Sequence, residues 1–245
     1  MEQTLKSVKI ISIEIGNECN FSKLHNKCPI NKRKYKNTKE KLTNKKILEI
    51  IDEAIDLGFE GYVAFHYYNE PLIYKEKIKK IIELRPGVKY LLWTNGMLLD
   101  ENFKNNDILN LFEATVITCY TDKKRKFFNK IAEYYKNVHI VSWELDDRLN
   151  VYENKEMCRE NCKRAIFEFP IDYYGNVHLC CEDWNNEYEL GNVNEQSLKE
   201  IINSINYKRT QRMNTKSGLD YSICPQICKK CSSMDMRQDI DIEKL

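Results

Sequence analysis

The stretch VKIISIEIGNECNFSKLHNKCPIN, residues 8 to 31, joins an apolar run to a loop that carries two cysteines and a histidine. Residues 8–15 are rich in β-branched side chains and are bounded by Gly16, the pattern of a strand closed by a turn. The loop that follows holds Cys19, His25 and Cys28. Two soft ligands and an imidazole could bind a metal, and a three-ligand site leaves one coordination position open for catalysis or for a cofactor that binds metal directly. The plain alternative is that His25 is a solvated loop residue.

The same strand-then-polar-turn pattern recurs along the chain. GYVAFHY (61–67), VKYLLWT (88–94), LFEATVITCY (111–120) and VHIVSW (138–143) read as strands. Between them TNKKILEIIDEAIDLG (43–58), YKEKIKKIIELR (74–85) and DKKRKFFNKIAEYYK (122–136) have helical spacing of apolar residues. In the first of these helices Ile47, Ile50, Ile51, Ala54 and Ile55 share a face, and Thr43 or Asn44 caps its start. Buried strands alternating with helices imply a parallel sheet with helical crossovers, and about five such strands precede residue 150. This suits a partial α/β barrel, in which ligands gather at the carboxyl ends of the strands. HYYNEP (66–71), TNG (94–96) and TCYTD (118–122) all fall there, beside Cys19.

Composition narrows the function classes. The 245 residues are 42% hydrophobic and 31% charged, with a formal net charge of +2, so nothing beyond the local patch NKRKYKNTKEK (31–41) favours nucleic acid. No apolar run is long enough to span a membrane, and the N-terminus lacks a signal-peptide core. A cytoplasmic protein with neither nucleic acid nor membrane as partner is expected. Nine of its ten cysteines are clustered and Cys119 stands alone, which in a reducing compartment points to metal or iron–sulfur binding rather than disulfides.

After residue 150 the alternation stops. AIFEFPIDYYGNVHLCC (165–181) reads as a hairpin, residues 196–213 as helical, and the tail carries CPQICKKC. Cys162 and Cys180 flank the hairpin, and Cys228 and Cys231 form a C-x-x-C pair beside two lysines. Four thiols gathered by a small fold suit zinc or an iron–sulfur cluster, and spacing alone does not separate the two. His139 and His178 lie inside strand patterns and read as structural.

In this order the pieces resemble the radical S-adenosylmethionine (SAM) enzymes that carry a C-terminal cluster domain of the SPASM or shorter twitch type. The matching features are the Cys19–Cys28 loop, NEP (69–71), WTNG (93–96), Cys162-x12-Gly175-x4-Cys180 and LGNVNEQSLKEI (190–201). The resemblance implies a partial (β/α)6 TIM-type barrel over residues 1–150 and a small iron–sulfur domain over residues 151–245. It implies a [4Fe–4S] cluster on Cys19, His25 and Cys28, with SAM chelating the remaining iron. Glu70, Asn69, Thr94, Asn95 and Gly96 would position SAM. One auxiliary cluster, of [4Fe–4S] type, would sit on Cys162, Cys180, Cys228 and Cys231. The seven-cysteine pattern of a full SPASM domain is not met, because Cys224-x3-Cys228-x2-Cys231 has other spacings.

The usual cluster motif of these enzymes is C-x3-C-x2-C. Here it reads C-x5-H-x2-C, with His25 at the offset of the middle cysteine. Imidazole ligation raises a cluster's potential. Cys119, at the end of the fourth strand, is the rival third ligand. The implied activity is hydrogen abstraction by a 5′-deoxyadenosyl radical, in an oxidoreductase reduced by a flavodoxin or ferredoxin. The first strand begins near residue 8, so no N-terminal peptide-recognition domain is expected. That points to a small polar substrate, sugar or aminocyclitol in kind. Modification of a peptide or protein side chain, and a non-catalytic iron–sulfur scaffold, are the other readings.

Overall fold

The computed structural model describes residues 3–35, 38–142, 149, 162–215, 218–220 and 222–231. Five strands carry the first part of the chain: β1 (Ile10–Ile13), β2 (Tyr62–Ala64), β3 (Tyr90–Thr94), β4 (Ala114–Cys119) and β5 (Val138–Ser142). Helices α1 (Asn44–Asp56), α2 (Lys75–Leu84) and α3 (Asp122–Tyr134) form three of the crossovers. Between β3 and β4 two 3-10 turns, Phe103–Asn105 and Asp107–Leu111, take the place of a helix. The strands are parallel, and β1 to β4 are largely buried, as their near-continuous apolar runs require, while β5 at the sheet edge is partly exposed.

Local chemistry sets the helix bounds. Thr43 caps α1 by accepting from the amide of Lys46 (3.1 Å), while Ile47, Ile50, Ile51 and Ala54 face the core. Past the second stretch of chain, α4 (Arg164–Phe167) leads into β6 (Glu168–Ile171), β7 (Asn176–Val177) and β8 (Gly191–Asn192). The single helix expected over 196–213 is two, α5 (Leu198–Asn203) and α6 (Ile205–Arg212). Ser204 divides them: it is extended, and its hydroxyl accepts from the amide of Tyr207, starting a new helix. A short α7 (Gln226–Lys230) follows. Among the described residues no helix is long and apolar enough to cross a membrane.

The sheet order is β5-β4-β3-β2-β1-β6-β7-β8. Among the described residues six strands run parallel, and the sixth, β6, lies beside β1 and not beside β5. Ile10 to Ile13 register with Glu168 to Ile171, and the expected hairpin continues antiparallel through β7 and β8. The last third of the chain is thereby built onto the first strand. Glu53 of α1 adds a second tie by accepting from the amide of Leu198 (2.6 Å) at the start of α5. The expected boundary at 150/151 and Cys158 lie outside the described residues.

The core shared by barrel strands and C-terminal helices includes Ile11, Ile13, Phe65, Leu92, Phe128 and Phe169. A second, smaller core of Ala165, Leu179, Met213, Cys224 and Ile227 packs against Cys162 and Cys228.

Close approach of β1 and β2 explains Gly61. A Cβ there would lie 2.2 Å from the carbonyl oxygen of Lys9, which belongs to the backbone and cannot swing aside. Gly61→Ala is expected to lower stability by roughly 1–3 kcal/mol in a thermal or denaturant melt. Gly87→Ala, where a Cβ meets nothing within 4 Å, should stay within about 0.5 kcal/mol of the parent.

Candidate functional site

The carboxyl ends of β1, β2 and β3 interlock around Glu70. Its side chain is buried, and Oε1 accepts from the Thr94 hydroxyl (2.6 Å) and the Leu72 amide (3.0 Å). Oε2 accepts from the Asn95 amide (2.9 Å). The Leu72 contact caps the 3-10 turn Pro71–Tyr74. An ionised carboxylate has about four acceptor sites, and these three bonds leave one for a ligand. Burial is the main influence on Glu70 and pushes its pKa up against those three bonds.

The other residues of these loops hold Glu70 and each other. The Glu70 amide donates to the Glu18 carbonyl (2.9 Å), tying the β2 loop to the β1 loop. The Asn95 amide group donates to Asn20 Oδ1 (2.8 Å), tying in the β3 loop. Thr94 Oγ1 also accepts from the Gly96 amide (3.0 Å). Gly96 has φ +70, and a Cβ there would meet Ile117 and Phe128 at 2.8 Å, so only glycine turns this corner. Asn69 is buried, and its side chain shapes its own loop, accepting from the Tyr67 amide and donating to the Phe65 carbonyl.

Cys19 sits within electrostatic reach of both Glu70 and Cys28, and burial, aided by those two, pushes its thiol up to about 11. His25 is 7% exposed and packs on Tyr120, which itself stacks on Phe21 at 5.2 Å. The Cys28 amide donates to the His25 carbonyl (3.1 Å). Cys119 is buried, with Sγ donating to the Thr121 carbonyl (3.2 Å). The β4 end thus reaches the cysteine loop through Tyr120, next to Cys119.

At the C-terminal cysteines, burial raises the Cys180 thiol, and the negative charge of Cys181 and Cys162 adds to it. The Cys228 thiol is raised by a hydrogen bond with Cys224 and by burial, with Cys180 and Cys162 contributing. Cys162, Cys180 and Cys228 are therefore neighbours. Cys231 follows α7, its amide donating to the Cys228 carbonyl. Cys224, which spacing had left unassigned, is a further thiol against Cys228. Arg164 lies alongside, with Nη1 2.7 Å from Glu182 Oε1 and 3.5 Å from Cys181 Sγ. Among the described residues, no three His, Cys, Asp or Glu side chains are drawn tightly enough to grip a metal ion. The donor chemistry still fits iron–sulfur ligation: buried thiols that repel one another as thiolates are stabilised by a shared metal charge.

Two residues of this region, Glu14 and Arg33, carry no motif. Glu14, fully buried on the strand end, pairs with Arg33. Arg33 Nε donates to the Trp184 carbonyl (3.1 Å), and the guanidinium lies over the rings of Tyr35, Tyr67 and Tyr68 at 4.5–4.9 Å. A carboxylate inside SIEI was the available signal, because a buried acid must find a cation. Tyr67, Tyr68 and Trp184 serve this contact. His178 is structural as expected, with its ring nitrogens against the Asp183 carbonyl and Asp172.

Residues 162–232 match the SPASM family, an iron–sulfur cluster-binding domain. The S-adenosyl-L-methionine-dependent 2-deoxy-scyllo-inosamine dehydrogenase of Niallia circulans is 22% identical over 249 residues, covering 96% of each chain. Among solved structures, BtrN in complex with AdoMet and 2-DOIA has a TM-score of 0.67 at 22% identity, over 86% of this chain and 88% of that one. BtrN in an open conformation has a TM-score of 0.61 at 20% identity, over 91% and 92%. The resemblance to radical SAM enzymes with a SPASM-type domain therefore extends over most of the chain.

The raised thiol gives a direct check. In iron-free protein at about pH 8, alkylation of Cys19 should run roughly a hundredfold slower than that of an unperturbed thiol and recover above about pH 10. Mass spectrometry of the tryptic peptides reads both rates.

Proposed function

We propose that this chain is a radical SAM oxidoreductase that removes hydrogen from a small polar metabolite of sugar or aminocyclitol type. The observation that carries it is the interlock at the strand ends, where a buried Glu70 lies within electrostatic reach of a desolvated Cys19. The dehydrogenase likeness, whose printed name specifies an aminocyclitol, supports the substrate class. Residues 1–150 form the radical SAM part and residues 151–245 the auxiliary-cluster part.

Cys19, Cys28 and His25 hold the first [4Fe–4S] cluster, and Cys162, Cys180, Cys228 and Cys231 hold the auxiliary one. With SAM bound, a cluster on the first set would supply one-electron reductive cleavage of SAM, and one on the second set would offer a site for the second electron of an oxidation. Glu70 accepts from the SAM ammonium at its remaining acceptor site. Thr94 and the Asn95 amide keep the carboxylate aimed, and Gly96 lets the β3 loop close over it. Asn69 shapes the loop behind. An acidic one-electron carrier of the flavodoxin or ferredoxin class reduces the enzyme, and a reducing compartment keeps the thiols available.

Anaerobically loaded protein should hold about eight iron and eight sulfide per chain, and Cys162→Ala/Cys180→Ala about half. Stoichiometric zinc without sulfide would overturn the reading. SAM binding without cleavage under strong reduction would favour the scaffold. His25→Ala should convert the first site towards a three-iron form, whereas an intact site in that variant with loss in Cys119→Ala would move the ligand to Cys119.

Charge on Glu70 should set the pH dependence of SAM binding. Burial raises its pKa, so protonation begins above the ordinary carboxylate range as pH falls. Affinity for the SAM ammonium is expected to weaken as pH falls towards and through the ordinary carboxylate range in the parent. In Glu70→Gln it should be weaker by at least about tenfold and flat over that range, as calorimetry would read.

A further inference from the structure

Arg33 belongs to neither proposed ligand set, yet with Glu14 it brackets the Cys19–Cys28 loop in sequence, and its side chain joins that bracket to the loop that carries Cys180 and Cys181. It lies five residues after Cys28, and its partner Glu14 directly follows β1, five residues before Cys19. Glu14 Oε1 also accepts from the Tyr68 amide (3.2 Å), and Oε2 accepts from the Tyr173 amide (3.0 Å) and the Tyr35 hydroxyl (3.2 Å). The pair therefore fastens the β1 end to the β2 loop and to the turn after β6.

On its other side Arg33 grips the auxiliary loop. Its Nε donates to the Trp184 carbonyl. The Tyr67 hydroxyl beneath it donates to the carbonyls of Cys180 (3.2 Å) and Asp183 (3.3 Å), and the Tyr68 hydroxyl to that of Cys181 (2.6 Å). Tyr67 and Tyr68, which hold these carbonyls, are two of the rings against which the guanidinium stacks.

We propose that Arg33 is a positioning residue that fixes the Cys180–Trp184 loop against the Cys19–Cys28 loop, so that the two proposed cluster sites keep one relation in space. The chemical consequence rests on the function proposed above; the mechanical tie does not. A displacement of about 1 Å at a reacting centre costs on the order of a hundredfold in rate, which is why a two-site oxidation needs such a tie. The planar fork matters as well as the charge. A lysine could neutralise Glu14, but it could not also donate to Trp184 while stacking on the tyrosines.

Hydrogen exchange on the full-length, iron-free chain tests this. In Arg33→Met/Glu14→Gln, which removes both buried charges together, amides of residues 181–184 should exchange at least about tenfold faster, with the exposed control Lys32→Met unchanged. Arg33→Lys should stay fast in the same segment. In the anaerobically loaded protein, both Arg33 variants should keep the auxiliary iron but alter the electron paramagnetic resonance spectrum of the reduced auxiliary cluster. Parent-like protection in Arg33→Lys would overturn the proposal, since Arg33 would then only balance Glu14. So would unchanged exchange in the double variant. If loaded parent protein fails to bind SAM, the function falls, and the exchange result still decides the role of Arg33.

Discussion

A carboxylate buried on a parallel strand has to find a cation, and Glu14 finds Arg33 across the cysteine loop. Both side chains are withdrawn from solvent, at 1% and 0% exposure for Arg33 and Glu14. Removing one member of such a pair leaves a bare charge and costs about 3–5 kcal/mol, whereas removing both is often neutral. The pair is therefore better understood as a constraint on geometry than as a source of stability. Burial is the largest single influence and disfavours the charged guanidinium, but the charge of Glu14, the nearby Tyr35 and Tyr67 and the hydrogen bond to Glu14 together outweigh it and raise the Arg33 pKa. The tyrosine rings supply the rest of its solvation through their π faces.

From that anchor the strand-end loops take their places in sequence. The β2 loop is fixed through the Tyr68 amide, and Glu70 follows two residues later. Glu70 in turn draws in the β3 loop through Thr94 and Asn95. Asn95 closes the circuit on Asn20, next to Cys19. Polar groups buried this way are worth their desolvation only when fully paired, and here each loop supplies donors that the next one lacks.

Much of this was legible in the sequence because it is written in local periodicity. The strands, α1 to α3 and the hairpin follow from apolar spacing and turn residues within short windows. Gly96 and Thr94 were found by motif. The division at Ser204 was missed because apolar spacing runs through it and only the hydroxyl's choice of partner ends the helix. Pairing of β6 with β1 leaves no local mark, since register between distant parallel strands depends on what else the sheet edge can accept. Arg33 was hidden for a different reason. In NKRKYK it looks like one of several solvated bases, and only the burial of Glu14 singles it out. Cys224 was set aside by spacing, yet it packs in the same small core as Cys162 and Cys228.

The place of β6 beside β1 also orders events on the ribosome. β1 is complete at Ile13, but the strand that covers its outer edge ends at Ile171. At roughly 5–20 residues per second, that edge stays open for on the order of ten to thirty seconds of synthesis. During that time the nascent chain exposes the backbone of an apolar strand of the kind that pairs with other chains. The same early segment brings out Cys19 and Cys28 long before the C-terminal thiols exist. Birth of this protein is therefore a waiting period, in which a chaperone or an early metal supply has a defined interval to act.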